Sequence, residues 1–188
     1  MIQHFSFSDY PDIRQPRRHS LYTLIWCARG SVTVVADEKE LVLKKQDVLT
    51  ITSGQIHYFK KMDKSEGIIL EFPLAFFCKD DNDVELIFHN GLFCHFSQNE
   101  VIPVKDHELV ATQLRLIKEE WEQKPYQYLL SIHSRIKLLL IAINRAKVER
   151  GDEVWKPDAL FLKFLELVRA NFEHNYPLAR FAQLLGTT

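Results

Sequence analysis

The sequence predicts an α+β chain, with an antiparallel β domain first, a helical hairpin second and two short helices last. Three observations predict it. Residues 20–72 hold short stretches rich in Val, Ile, Thr, Tyr, Phe and Trp, separated by turn residues with no helical period between them. From Lys105 the apolar spacing changes to steps of three and four. A polar break, Glu149-Arg150-Gly151-Asp152-Glu153, then precedes a third segment.

The β elements come in close succession. Leu21 to Ala28 reads as the first strand, closed by Arg29-Gly30-Ser31, and Val32 to Ala36 leads into the turn Asp37-Glu38-Lys39. Glu40 to Leu43, Val48 to Thr52, Ile56 to Lys60 and Gly67 to Phe72 bring the set to at least six, an antiparallel sandwich or barrel. Pro73 to Phe77 and Leu86-Ile87-Phe88 are compatible with a helical turn or a strand, Leu92 to Phe96 reads as a last strand, and Pro103 closes the region.

Val110, Leu114, Ile117 and Trp121 mark the first long helix, which Lys124-Pro125 ends; Pro125 can then occupy the first turn of the next. That second helix carries Leu129, Ile132, Ile136, Leu139, Ile143 and Ala146, with Leu138, Leu140, Ile141 and Ala142 widening its apolar surface. A helix apolar on more than one side must cover two neighbours. One is its own sheet, and the other is a helix of the same chain or of a partner subunit, so Leu129, Ile132, Ile136, Leu139 and Ile143 are the expected dimerisation residues. In the third segment Asp158 can cap a helix with Phe161, Phe164, Leu165 and Val168, and Leu178 to Leu185 forms a short helix stopped by Gly186. The expected division is 1–104 barrel, 105–150 hairpin, 151–157 linker and 158–188 an incomplete further module.

With 188 residues, 46% apolar and a net charge of −1, the chain is neither disordered nor strongly basic, so phosphate neutralisation gives it no affinity of its own for nucleic acid. Cys27, Cys78 and Cys94 are odd in number and irregularly spaced, without a CxxC pair. No secretory signal and no bilayer-length apolar run is present, so a cytoplasmic protein without membrane contact is expected. Nucleophile motifs and a Gly-rich phosphate loop are missing too, so no catalytic residues are expected.

His19 and His57 are the histidines inside the β region. The residues that follow His19 along its strand offer no second His and no carboxylate at ligand spacing, which argues against a metal and against any cofactor. A site for a small molecule is expected instead from His19, Tyr22, Leu24, Trp26, His57, Phe59 and Phe72, in which the aromatics form an apolar lining and the histidines orient a polar ligand. Each aromatic taken singly is equally well explained as core.

Pro16-Arg17-Arg18-His19 through Gly30-Ser31, followed by Gln46-Asp47-Val48 through Gly54-Gln55-Ile56-His57-Tyr58-Phe59, resembles the N-terminal cupin-like sensor domain of AraC-type transcriptional regulators. The resemblance implies a jelly-roll type barrel, a helical dimerisation element after it and a small-molecule effector inside it. Phe164 to Phe172 and Leu178 to Thr188 resemble the start of that family's helix-turn-helix module, with Ala182 as the small residue of its first helix and Gly186 to Thr188 as the turn. The recognition helix would lie beyond Thr188, so the chain is expected to be a truncated regulator, a homodimer that binds DNA in full-length form but not as this fragment. Arg17, Gln46 and Thr52-Ser53 depart from the cupin motifs, so the ligand set of catalytic cupins is not reconstituted. A metal-dependent cupin enzyme of isomerase or dioxygenase type using His19 and His57 is the alternative, and a ligand-independent dimerisation scaffold is a third.

Overall fold

A computed structural model describes residues 2–88, 92–93, 99–151 and 159–187. The chain divides into two compact units, Met1–Val154 and Trp155–Thr188. In the first, β1 (Gln3–Ser6), β2 (Tyr22–Ala36), β3 (Lys39–Lys44), β4 (Asp47–Ile51), β5 (His57–Phe72) and β6 (Val101–Pro103) form one antiparallel sheet. Its order is β1-β5-β2-β4-β6, with β3 paired to β2. The predicted α+β class holds, but among the described residues the sheet is strongly curled and its path stays open, with β1 and β6 at the ends, rather than closing as a barrel.

Two pairs of expected strands are fused. Leu21 to Ala28 and Val32 to Ala36 belong to a single β2, because Gly30 at φ 72° makes a bulge and the ladder to β5 shifts register on either side of Arg29. A bulge bends the strand and raises its twist without ending it. Ile56 to Lys60 and Gly67 to Phe72 likewise join as β5. The sequence suggests neither β1 nor β6, which are only four and three residues long. The strand expected at Leu92 to Phe96 falls largely outside the described residues; Leu92 and Phe93 lie in a bend and are buried.

Pairing sorts the sheet's side chains into two faces, since residues directly opposite share a face and neighbours along a strand alternate. Thr23, Ile25 and Cys27 oppose Glu71, Ile69 and Gly67, and they face the concave core with Phe7, Tyr10, Leu49, Ile51 and Phe59. Tyr22, Leu24 and Trp26 oppose Phe72, Leu70 and Ile68 on the other face. There Tyr22 and Phe72 meet Phe93, and Phe72 meets Phe77. Gly67 permits the closest approach in the core: a Cβ at this position would lie 2.2 Å from the Phe7 ring and 2.3 Å from the Trp26 carbonyl oxygen.

Pro73 to Phe77 resolves as α1 (Leu74–Phe77), and Leu86 to Phe88 ends α2 (Asp81–Phe88). α3 (His107–Gln123) starts at Asp106, whose Oδ1 accepts from the Leu109 N–H at 3.3 Å, and stops at Lys124 in the left-handed region. α4 (Tyr128–Glu149) begins later than Pro125; that proline's carbonyl instead closes a turn with the Tyr128 N–H. The hairpin seats on the sheet partly through His4, whose Nε2 lies 3.1 Å from the Leu114 carbonyl. It also holds α1 and α2 through His133, whose Nε2 is 2.7 Å from the Phe77 carbonyl and 3.2 Å from Asp83. Lys137 Nζ reaches the other Asp83 oxygen at 2.5 Å, so a wholly buried carboxylate of α2 is held by two residues of α4 one turn apart.

This packing corrects the expected dimerisation face. Ile132, Ile136, Leu139 and Ile143 are fully buried within the chain, and only Leu129, 44% exposed, is open to solvent. The three-four spacing describes the stripe a helix turns to its own core, so it selected the intrachain face.

In the second unit α5 (Ala159–Ala170) and α6 (Leu178–Leu185) flank a short 3-10 turn, Phe172–His174. Phe181 is buried, edge-on to Phe164 at 5.8 Å and to Tyr176 at 6.0 Å. Gly186, at φ 68°, donates to the carbonyls of Ala182 and Gln183 and ends α6 where the sequence places its stop. Asp158 and Thr188 lie outside the described residues.

Candidate functional site

Arg17 Nε and His57 Nε2, two of the buried polar atoms without a hydrogen-bond partner, lie where the curled sheet meets the N-terminal segment. Arg17 pairs with His57 as an isolated antiparallel bridge, with N–H to O distances of 3.1 and 3.0 Å in the two directions. The His19 carbonyl accepts from Gly54 N–H at 2.9 Å. Gly54 sits at φ +85°, a conformation a glycine adopts without steric cost, and this turn delivers His57 to the start of β5. Gln55 holds the turn: its Oε1 accepts from the Thr52 amide at 3.0 Å and its Nε2 donates to Asn99 and Asp37.

His57 and Glu71 stand near opposite ends of β5, fourteen residues apart, a span of about 46 Å were the strand straight. Curling brings their donor atoms, with a ring nitrogen of His19, within 4.8 Å of one another. His19 Nε2 is 3.0 Å from Glu71 Oε1, and the two imidazole rings stand edge to face at 5.2 Å. Tyr10 donates its hydroxyl to the same Glu71 oxygen at 2.5 Å, while the Arg17 guanidinium lies 4.3 Å from the centre of the Tyr10 ring and donates to the Pro11 carbonyl.

Electrostatics follow from this burial. Burial, assisted by the His19 charge, pushes His57 down to about 4, so its ring is neutral at pH 7. Burial opposes ionisation of Glu71, but hydrogen bonds from His19 and Tyr10 outweigh it and hold the carboxyl below its usual range. Burial and the adjacent carboxylate push the Tyr10 phenol well above its ordinary value. His57 Nε2 and Arg17 Nε are both buried without a hydrogen-bond partner. Buried polar groups are ordinarily paired, so two unpaired ones on facing residues call for a partner.

The seven residues expected to line a ligand site therefore divide. His19 and His57 meet, and Phe59 lies in the concave core beside Phe7 and Tyr10. Tyr22, Leu24, Trp26 and Phe72 do not join them, because the pleat turns these four to the opposite face. Sequence reasoning missed Glu71, Tyr10 and Arg17 as members. Glu71 is 48 positions from Thr23, its partner across the ladder, so inspection along the first strand could not find it. The available signal was a charged residue in an otherwise apolar strand, Ile68-Ile69-Leu70-Glu71-Phe72.

A family model described as the AraC-like ligand binding domain matches residues 5–133. No curated protein matches the chain. Among solved structures, apo ToxT from Vibrio cholerae aligns over 100% of this chain and 70% of its own, at 12% identity and a TM-score of 0.54. ToxT bound to (E)-4-(8-methylnaphthalen-1-yl)but-3-enoic acid aligns over 100% and 72%, at 8% identity and 0.54. The AraC-like transcriptional activator CuxR aligns over 90% of this chain and 58% of its own, at 11% identity and 0.48. At such identities the likeness is one of fold, and the chain spans little more than half the length of CuxR.

Proposed function

The chain belongs to the AraC-like ligand-binding-domain family, and on that premise we propose that it is the effector-sensing region of a transcription regulator. The effector is a small molecule that enters beside Arg17, His19 and His57. The observation that carries this reading is the pair of buried polar atoms without a hydrogen-bond partner, Arg17 Nε and His57 Nε2, on residues that face each other across a backbone bridge. Ligand-bound ToxT structures support the small-molecule class, one of them described as bound to an unsaturated fatty acid.

In the whole protein the region acts as a cytoplasmic homodimer, and its second unit begins a helix-turn-helix module that carries the effect to DNA. None of the helices among the described residues is long and apolar enough to cross a membrane, which agrees with this setting. The effector must bind one arrangement of the chain better than another, since equal affinity shifts nothing. Native mass spectrometry of the protein as purified is the direct test. A retained organic molecule that His57→Ala loses, with the fold intact by circular dichroism, is the expected result. Should the ligand remain bound in His57→Ala, the site lies elsewhere.

A further inference from the structure

Outside hydrogen bonding, the three donors at the β5 junction share a second property. One ring nitrogen each of His19 and His57 and a carboxylate oxygen of Glu71 all lie within 4.8 Å of one another. This is the set of two imidazoles and one carboxylate that holds zinc or ferrous iron while leaving coordination positions open. With metal–ligand bonds of about 2.0–2.1 Å, neighbouring donors of a tetrahedral ion stand about 3.3 Å apart. His19 and Glu71 are already at 3.0 Å, and the His57 nitrogen stands no more than 4.8 Å from either.

The surrounding groups suit a ligand set. His57 Nδ1 lies 3.4 Å from the Gln55 carbonyl, which favours the ring proton on that side and leaves the lone pair on Nε2. That Nε2 is buried and has no partner, although His57 itself is only 1% exposed. Glu71 is fixed from behind by the Tyr10 hydroxyl at 2.5 Å, the kind of supporting hydrogen bond that orients a ligating carboxylate. His19, with its side chain 24% exposed, leaves a way in from solvent.

We propose that His19, His57 and Glu71 form a binding site for one divalent transition-metal ion of the zinc and ferrous-iron class. The metal-free expectation rested on residues near His19 in sequence and did not include Glu71. The ligands are unequal. His19 Nδ1 faces the Leu21 N–H at 3.2 Å, so ligation through Nε2 puts the ring proton on Nδ1 and gives up that contact. His57 and Glu71 are therefore the stronger holders. The site shares His19 and His57 with the effector reading, but it stands on its own geometry and is read out by metal uptake rather than by a retained organic molecule.

The test uses the full chain, stripped with a chelator and titrated with Co(II) followed by visible absorption, then with Zn(II) in competition. One ion per chain is expected. Glu71→Gln, nearly the same shape, and His57→Ala should each weaken binding at least about tenfold, and Tyr10→Phe less. His107→Ala, at a half-buried histidine that opens α3 and is not part of the cluster, should leave the affinity unchanged. Near-UV circular dichroism checks that each variant is folded, and Glu71→Gln remains decisive if His57→Ala is not. The proposal is overturned if the stripped protein takes up neither ion, or if stoichiometric binding survives Glu71→Gln. Either outcome leaves a retained organic molecule to be judged separately by mass spectrometry.

Discussion

Gly67 stands in β5 because there is no room for a side chain, its place being filled by the Phe7 ring and the Trp26 carbonyl. Since a carbonyl oxygen cannot move without its strand, Gly67→Ala should cost about 2–3 kcal/mol in urea unfolding, and pairing it with Phe7→Leu should recover only part. At His4, burial lowers the ring's pKa below 6.5 despite the bond to the Leu114 carbonyl. The unfolded chain then binds more protons than the folded one between that lowered value and 6.5, so stability falls as pH drops through this window. His4→Gln should flatten that slope by up to about 1.4 kcal/mol per pH unit in denaturation curves recorded between pH 7 and 5. At Asp83, burial opposes ionisation but the Lys137 ammonium and the Lys79 amide hold the carboxyl low, so its contribution is present at neutral pH and is lost in acid. Lys137→Met strands that carboxylate and should cost about 2 kcal/mol at pH 7.

For whole elements, the contrast lies along α4. Ile136 and Leu139 are fully buried, whereas Leu130 and Leu138 are 59% and 49% exposed. Replacing Ile136 by Ala should destabilise by about 2–5 kcal/mol, while Leu138→Ala should stay within about 0.5 kcal/mol. Charged residues at Ile136 and Leu139 should therefore give unfolded or insoluble protein in sedimentation, not dispersed monomers. Periodicity made both long helices and α6 legible, because one apolar face repeats every three or four residues. It could not say which neighbour covers that face. Strand composition found β2 to β5 but split the longest two, since Gly30 reads in sequence as a chain reversal and acts in the fold as a bulge. β1 and β6 left no pattern, as three or four residues are too few to show one.

Across the molecule, the sequence reading grouped the two histidines and also grouped the aromatics into one lining, which the sheet divides between its two faces. Both follow from the pleat. The histidines flank turns whose position the chain order already constrains, whereas the face of Tyr22, Leu24, Trp26 and Phe72 depends on a register that only pairing across the sheet sets. The core cluster that runs from Phe7 through Ile69 lies within the first unit. A fragment of residues 1–154 should unfold in one cooperative transition and keep its near-UV circular dichroism, and failure to fold would show that the second unit contributes to that core.

β5 begins and ends at the same place. A ribbon bent until its two ends touch behaves as a hoop, and His57 and Glu71 sit where the hoop is clasped. Whatever bridges them sets the girth of everything the ribbon encloses, Phe59 and Ile69 included. The relation runs both ways: a change in girth imposed from β1 or from the hairpin resting on it must loosen or tighten the clasp by the same free energy.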